Sequence, residues 1–211
     1  MKLILLFITM LFSVVSSTDI PAQTISTFDF DTLNWVLPEN YQIVEFEGEN
    51  ALLIERSADV FRRGTKAYLK DYEFSDGIIE YDLFCPQRDF IFIGLCFRLT
   101  NYNDEDRYEL FFFRPNVINT LGTVQYIPVN NGTVHLSTYA DDIFQGIGDI
   151  SSNIWHHVKA EISGPHAVIY VDDTEVMTVN NLGRGLSRGS IGVWVGETTP
   201  KCYFANFTVT N

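Results

Sequence analysis

The stretch Asp76–Leu99, DGIIEYDLFCPQRDFIFIGLCFRL, decides how the chain is read. Its first half alternates: Ile79, Tyr81 and Leu83 point one way, and Ile78, Glu80, Asp82 and Phe84 the other. Its second half alternates too, with Ile91, Ile93, Leu95, Phe97 and Leu99 set against Phe92, Gly94, Cys96 and Arg98. Two such arms in succession predict a hairpin with one core face. The other face then carries Glu80, Asp82 and Arg98 together.

Outward from this stretch the same period-two pattern recurs. Candidate strands lie near 28–30, 41–46, 51–54, 66–70, 77–84, 90–99, 107–113, 121–129, 133–139, 154–163, 166–171, 174–179, 189–196 and 201–209. Turn residues separate them, among them Asn130-Asn131-Gly132, Gly164-Pro165 and Asp172-Asp173. Residues 154–162 and 167–171 read as one hairpin, and 124–129 and 134–139 as another. No stretch keeps a helical apolar period. Asp141–Asn153 is the longest irregular segment, with room for a short helical turn. Short, evenly spaced strands of this kind specify an all-β sandwich or barrel.

Residues 1–17 have the form of an export signal: Lys2, then an apolar run to Val15, then Ser16 and Ser17. That run is too short to span a bilayer. The mature chain, 18–211, is about 190 residues, enough for one domain with a sizeable core. The apolar fraction of 46% argues against disorder. The formal net charge is −13, which argues against nucleic acid and anionic membrane as partners, since phosphates call for basic patches. The reading is therefore a secreted protein with no membrane insertion. Export permits disulfides; with three cysteines, Cys85, Cys96 and Cys202, at least one is free or paired between chains. Cys85 at a strand end and Cys202 at the start of the last strand are both plausible for a bridge, with connectivity left open by the sequence.

The order of DGIIEYDLF, GLCFR, RYELFFF, WHHVKAEISG, IYVDD, GSIGVWVG and CYFANFTV resembles the concanavalin A-like lectin/glucanase superfamily. Within it the chain looks most similar to laminin-G-like and keto-disaccharide-hydrolase-type jelly rolls, over about Phe28–Val209. The resemblance implies a two-sheet antiparallel jelly-roll sandwich whose concave sheet carries glycans or an active site. Retaining glucanases of this fold carry a strand Glu-x-Asp-x-x-Glu. Glu80 and Asp82 match the first two acids, but the third place is Cys85. Retaining hydrolysis needs two carboxyl groups ~5 Å apart, one of them an acid, so no catalytic residue is assigned. Legume lectins use a similar Glu-x-Asp to bind metals, but Pro86-Gln87-Arg88-Asp89 is too short for the loop found after it there.

The expected function is a non-catalytic, lectin-like domain that binds carbohydrate or a glycosylated protein on its concave sheet. Glu80, Asp82, Arg98, Tyr108 and Trp194 form the expected contact set. The charged groups would orient hydroxyls, and Trp194, on a face otherwise cleared by Gly192 and Gly196, would stack a sugar ring. The alternatives are a glycoside hydrolase with a third acid supplied by Glu109 or Glu161, and a laminin-G-like adhesion module. No cofactor is required, although Asp104-Glu105-Asp106 and Asp141-Asp142 offer the oxygen donors calcium takes. His156 and His157 are adjacent and point to opposite faces, so they do not clamp one metal ion. Two sequons, Asn131-Gly132-Thr133 and Asn206-Phe207-Thr208, make Asn131 and Asn206 glycosylation candidates.

Overall fold

The computed structural model describes residues 23–55, 64–86, 91–102, 105–115, 117, 119–134, 141–183, 185–196, 199 and 201–211. The leader read at 1–17, Asp104 and most of the arm expected at 134–139 lie outside them. The strands are β1 (Ile25–Thr27), β2 (Trp35–Val36), β3 (Tyr41–Phe46), β4 (Glu49–Glu55) and β5 (Thr65–Leu69). Then come β6 (Gly77–Phe84), β7 (Ile93–Tyr102), β8 (Glu105–Phe113), β9 (Val124–Val129) and β10 (Gln145–Gly146). The last are β11 (Trp155–Ser163), β12 (His166–Val171), β13 (Thr174–Val179), β14 (Ser190–Val195) and β15 (Lys201–Thr210). Among the described residues the helical content is one 3-10 turn, Asp142–Phe144, inside the segment expected to hold one. No helix there is long and apolar enough to cross a membrane.

Two antiparallel sheets result. One runs β13-β12-β11-β6-β15-β4-β3, with β1 also pairing to β15; the other runs β10-β9-β8-β7-β14-β5-β2. Local turn chemistry sets the simplest pairings. Asp172 and Asp173 both take positive φ (47° and 62°), the two-residue turn whose twist suits the β12–β13 hairpin. The core lies between the sheets. Ile79, Tyr81, Leu83 and Phe204 from one sheet meet Leu95, Phe97, Phe111 and Val193 from the other, all 0–1% exposed. Burial of this much apolar surface is the main force holding the sandwich closed.

The expected hairpin across 76–99 does not form. β6 sits between β11 and β15 in the eight-stranded sheet, while β7 sits between β8 and β14 in the seven-stranded one. β6 ends at Phe84 in one sheet and β7 begins at Ile93 in the other, with Cys85 and Ile91 inside the core. Alternation specifies that a strand has a core face. It does not specify which sheet supplies its partner, because both sheets of a sandwich face the same core. The 154–162/167–171 hairpin does form, as β11 and β12. The outer neighbour of β9 among the described residues is β10.

Candidate functional site

The solvent-facing side of the eight-stranded sheet is built in rows across its strands. Glu80 of β6 lies opposite Lys159 of β11 and Thr208 of β15; Asp82 lies opposite His157 and Ala205; Phe84 lies opposite Trp155 and Tyr203. Residues opposed in this way share a face and touch. The middle row is a connected polar cluster. Asp82 Oδ1 accepts from His157 Nδ1 at 2.7 Å, and Asp82 Oδ2 accepts from Asn206 Nδ2 at 2.7 Å. The other ring nitrogen of His157 faces Glu80 Oε1 at 3.4 Å, and Asn206 also donates to Glu49 Oε2 at 3.0 Å.

Asn206 reaches this cluster because of a bulge. The β15–β6 register slips between Ala205 and Thr208, and Asn206 takes φ 54°. The extra residue lets Asn206 stay exposed while Phe207 turns wholly into the core. His157 is partly exposed. Partial burial by itself would lower its pKa, but hydrogen bonding and charge from Asp82 and Glu80 outweigh this and raise it. A protonated ring satisfies both carboxylates at once, since both of its nitrogens donate.

Beside the polar row stands an aromatic patch. Phe46 and Tyr203 stack with centroids 3.8 Å apart at 7°, and Phe84 meets Phe46 edge-on at 4.9 Å. Trp155 closes the patch, 5.5 Å from Phe84 and 6.2 Å from Phe46. Phe46 and Trp155 keep part of their surface in solvent.

The structure thus separates the expected contact set. Glu80 and Asp82 lie on this face; Arg98, Tyr108 and Trp194 belong to the other sheet and are buried, at 3%, 0% and 3% exposure. Arg98 sits at a bulge of β7 with φ 52°. Its guanidinium donates to the carbonyls of Ser75, Gly164 and Leu186 at 2.8–3.0 Å and to Asp76 Oδ1 at 3.1 Å. It therefore ties three loops together from inside the fold. A recess of about 250 Å³ lies beside it, between Asp76, Pro165 and Leu186.

Tyr108 and Trp194 pack with Cys96, Leu110, Phe112 and Ile127 in an apolar cluster on the outer side of the seven-stranded sheet. Burial in this cluster pushes the Tyr108 hydroxyl far up. Gly64, at φ 66°, lies so close to the Trp194 ring that a Cβ there would come within 2.5 Å of it. The indole therefore fills space and leaves no face for a sugar.

Cys85, in the third acidic place, turns inward at 1% exposure, and Glu109 is fully buried, accepting from the Tyr126 hydroxyl at 2.5 Å. Glu161 is on the exposed face, paired with Lys159 at 2.9 Å. No group of three or more His, Cys, Asp or Glu poised for a metal occurs among the described residues. Asn131 is exposed in its turn. His157, Trp155 and Phe46 were not expected at the site. They come from β11 and β3, and their only sequence signal is the outward phase of those strands.

No family model matches the chain, and no curated protein matches it in sequence. Solved structures match it in fold. A carbohydrate-binding module, CBM66 from Bacillus subtilis, aligns with TM-score 0.57 at 19% identity, over 88% of this chain and 94% of that one. A Bacillus licheniformis β-glucanase aligns with TM-score 0.54 at 12% identity, over 90% and 97%. The carbohydrate recognition domain of Emp47p aligns with TM-score 0.53 at 12% identity, over 84% and 87%. The fold is the concanavalin A-like jelly roll. At these identities the likeness establishes the jelly roll, and function has to be argued from the site.

Proposed function

We propose that this protein is a secreted, non-catalytic carbohydrate-binding domain whose ligand lies on the solvent-facing side of the eight-stranded sheet. The observation that carries the reading is Asp82, held between His157 and Asn206 beside the Phe46–Tyr203–Trp155 patch. Sugar recognition needs fixed donors and acceptors for hydroxyls next to an apolar surface for the C–H face of the ring. Glu80, Asp82, Asn206 and His157 supply the first, and Trp155 with Phe46 supplies the second. The fold is compatible, since carbohydrate-binding modules and a carbohydrate recognition domain share it.

The non-catalytic part rests on the inward-facing Cys85 and on His157, which engages both carboxylates. The test is a glycan array followed by titration of any hit. Binding that weakens at least about tenfold in Asp82→Ala and in Trp155→Ala supports the reading. No hit above background overturns it. Release of product from a glucan panel would replace it with a hydrolase built on Glu80 and Asp82. A protein ligand unaffected by deglycosylation would replace it with an adhesion module.

A further inference from the structure

Cys85 and Cys202 face one another across neighbouring strands. In the antiparallel β6–β15 pair Phe84 lies opposite Tyr203, so the next step of the register sets Cys85 opposite Cys202. Alternation sends Phe84 and Tyr203 outward into the aromatic patch and both cysteines inward. Cys85 is 1% exposed and Cys202 0%, and both belong to the inter-sheet core. Opposed residues of such a pair stand ~4.5–5.5 Å apart at Cα, within the span of a disulfide. Both are thiols in the structure. Cys96 is remote from this pairing: it lies on the outer side of the other sheet and donates to the Gly192 carbonyl at 3.4 Å.

We propose that Cys85 and Cys202 close into a cross-strand disulfide when the chain passes through an oxidising compartment, leaving Cys96 as the unpaired thiol. The step is two successive exchanges with a disulfide carrier such as glutathione disulfide. One cysteine thiolate attacks the carrier and expels one glutathione thiolate. The second cysteine thiolate attacks the resulting mixed disulfide and expels the other. Two protein thiols thereby lose two protons and two electrons, and the carrier leaves as two thiols. Burial raises both thiols far above the ordinary cysteine value, so the folded, reduced protein holds almost no thiolate there. Oxidation therefore belongs to folding, while the two side chains are still reachable. The finished bridge would join the strand carrying Glu80 and Asp82 to the strand carrying Asn206, directly beneath the aromatic patch.

The test is thiol counting on full-length protein exported from its expression host. Alkylation in denaturant without reduction should modify Cys96 alone; after reduction it should modify all three cysteines. Peptide mapping without reduction should link the Cys85 peptide to the Cys202 peptide. In Cys85→Ser the thiols open to alkylation should rise to two, Cys96 and Cys202, whereas an unbridged protein would fall from three to two. Three free thiols in the exported wild type, or a link that includes Cys96, overturns the proposal, and neither result depends on the variant folding. Refolding the reduced chain in a glutathione buffer should form the link. Adding the same buffer to folded, reduced protein should not form it at a comparable rate, and equal rates would overturn the folding-coupled route.

Discussion

The two outer faces of this sandwich start from similar strand patterns and end as different materials. On the eight-stranded sheet, outward positions carry Glu80, Asp82, His157 and Lys159, all partly exposed and paired side chain to side chain. On the seven-stranded sheet, outward positions carry Tyr108, Leu110, Phe112, Ile127 and Trp194, all at 3% exposure or less. The first face can exchange its hydrogen bonds for those of a ligand, because each partner is already in contact with water. The second face is a further apolar layer. Its tryptophan is packed with Tyr108 and pressed against Gly64, and opening it to a ligand would expose the layer itself. An aromatic residue on an outward strand position is thus a binding platform only where the sheet above it is open.

Substitutions should separate the two faces most clearly by stability. Trp194→Ala should cost about 3–5 kcal/mol in urea denaturation, the range for truncating a buried aromatic, and leave the affinity of the folded fraction for any glycan hit unchanged. A selective loss of affinity in the folded fraction would return Trp194 to the binding set. Arg98→Ala should come next, at about 3 kcal/mol, because the carbonyls of Ser75, Gly164 and Leu186 lose their donor together. Its effect on binding should again be nil. Asp82→Ala should show the opposite pattern. The stability change should stay within about 1 kcal/mol at so partly exposed a site, while affinity falls at least about tenfold. A stability loss at Asp82 as large as that at Trp194 would make the polar row a structural device and erase the contrast.

The strand pattern was legible to a useful degree. Residues 77–84, 166–171 and 174–179 form strands with the bounds their alternation predicts. Partnership was not legible for Glu80 and Arg98, because residues 85–92 could close a hairpin or turn a sandwich corner with the same apolar phases. The site was half legible for the same reason. Glu80 and Asp82 announce themselves as an acidic pair on an outward face. His157 lies 75 residues from Asp82 and meets it only through the β6–β11 register, and Asn206 needs a bulge that nothing in Asn206-Phe207-Thr208 marks. Trp194 misled because Gly192 and Gly196 read as space cleared for a ligand. Gly192 instead lies so close to β5 that a Cβ there would come within 2.0 Å of the Ala67 carbonyl.

The smallest effect, and the one confined to the polar face, concerns pH. The folded pKa of His157 is raised, so its contribution to stability is fully present below the unfolded value of about 6.5 and is lost as pH rises through the folded value. The gap in unfolding free energy between wild type and His157→Gln should therefore be wider near about pH 5.5 than near about pH 9. Because the ring is partly exposed, solvent screening should hold the difference to a few tenths of a kcal/mol, and added salt should shrink it further. Trp194→Ala has no titrating group of its own and should show a gap that does not follow this pH course. If both gaps moved together, the change would belong to the whole fold and not to the row. If only the His157 gap moves, the imidazole is the element that sets how firmly Glu80 and Asp82 are held. Above its folded pKa the neutral ring has one N–H left, enough for one carboxylate, and the other is released to accept from a ligand hydroxyl.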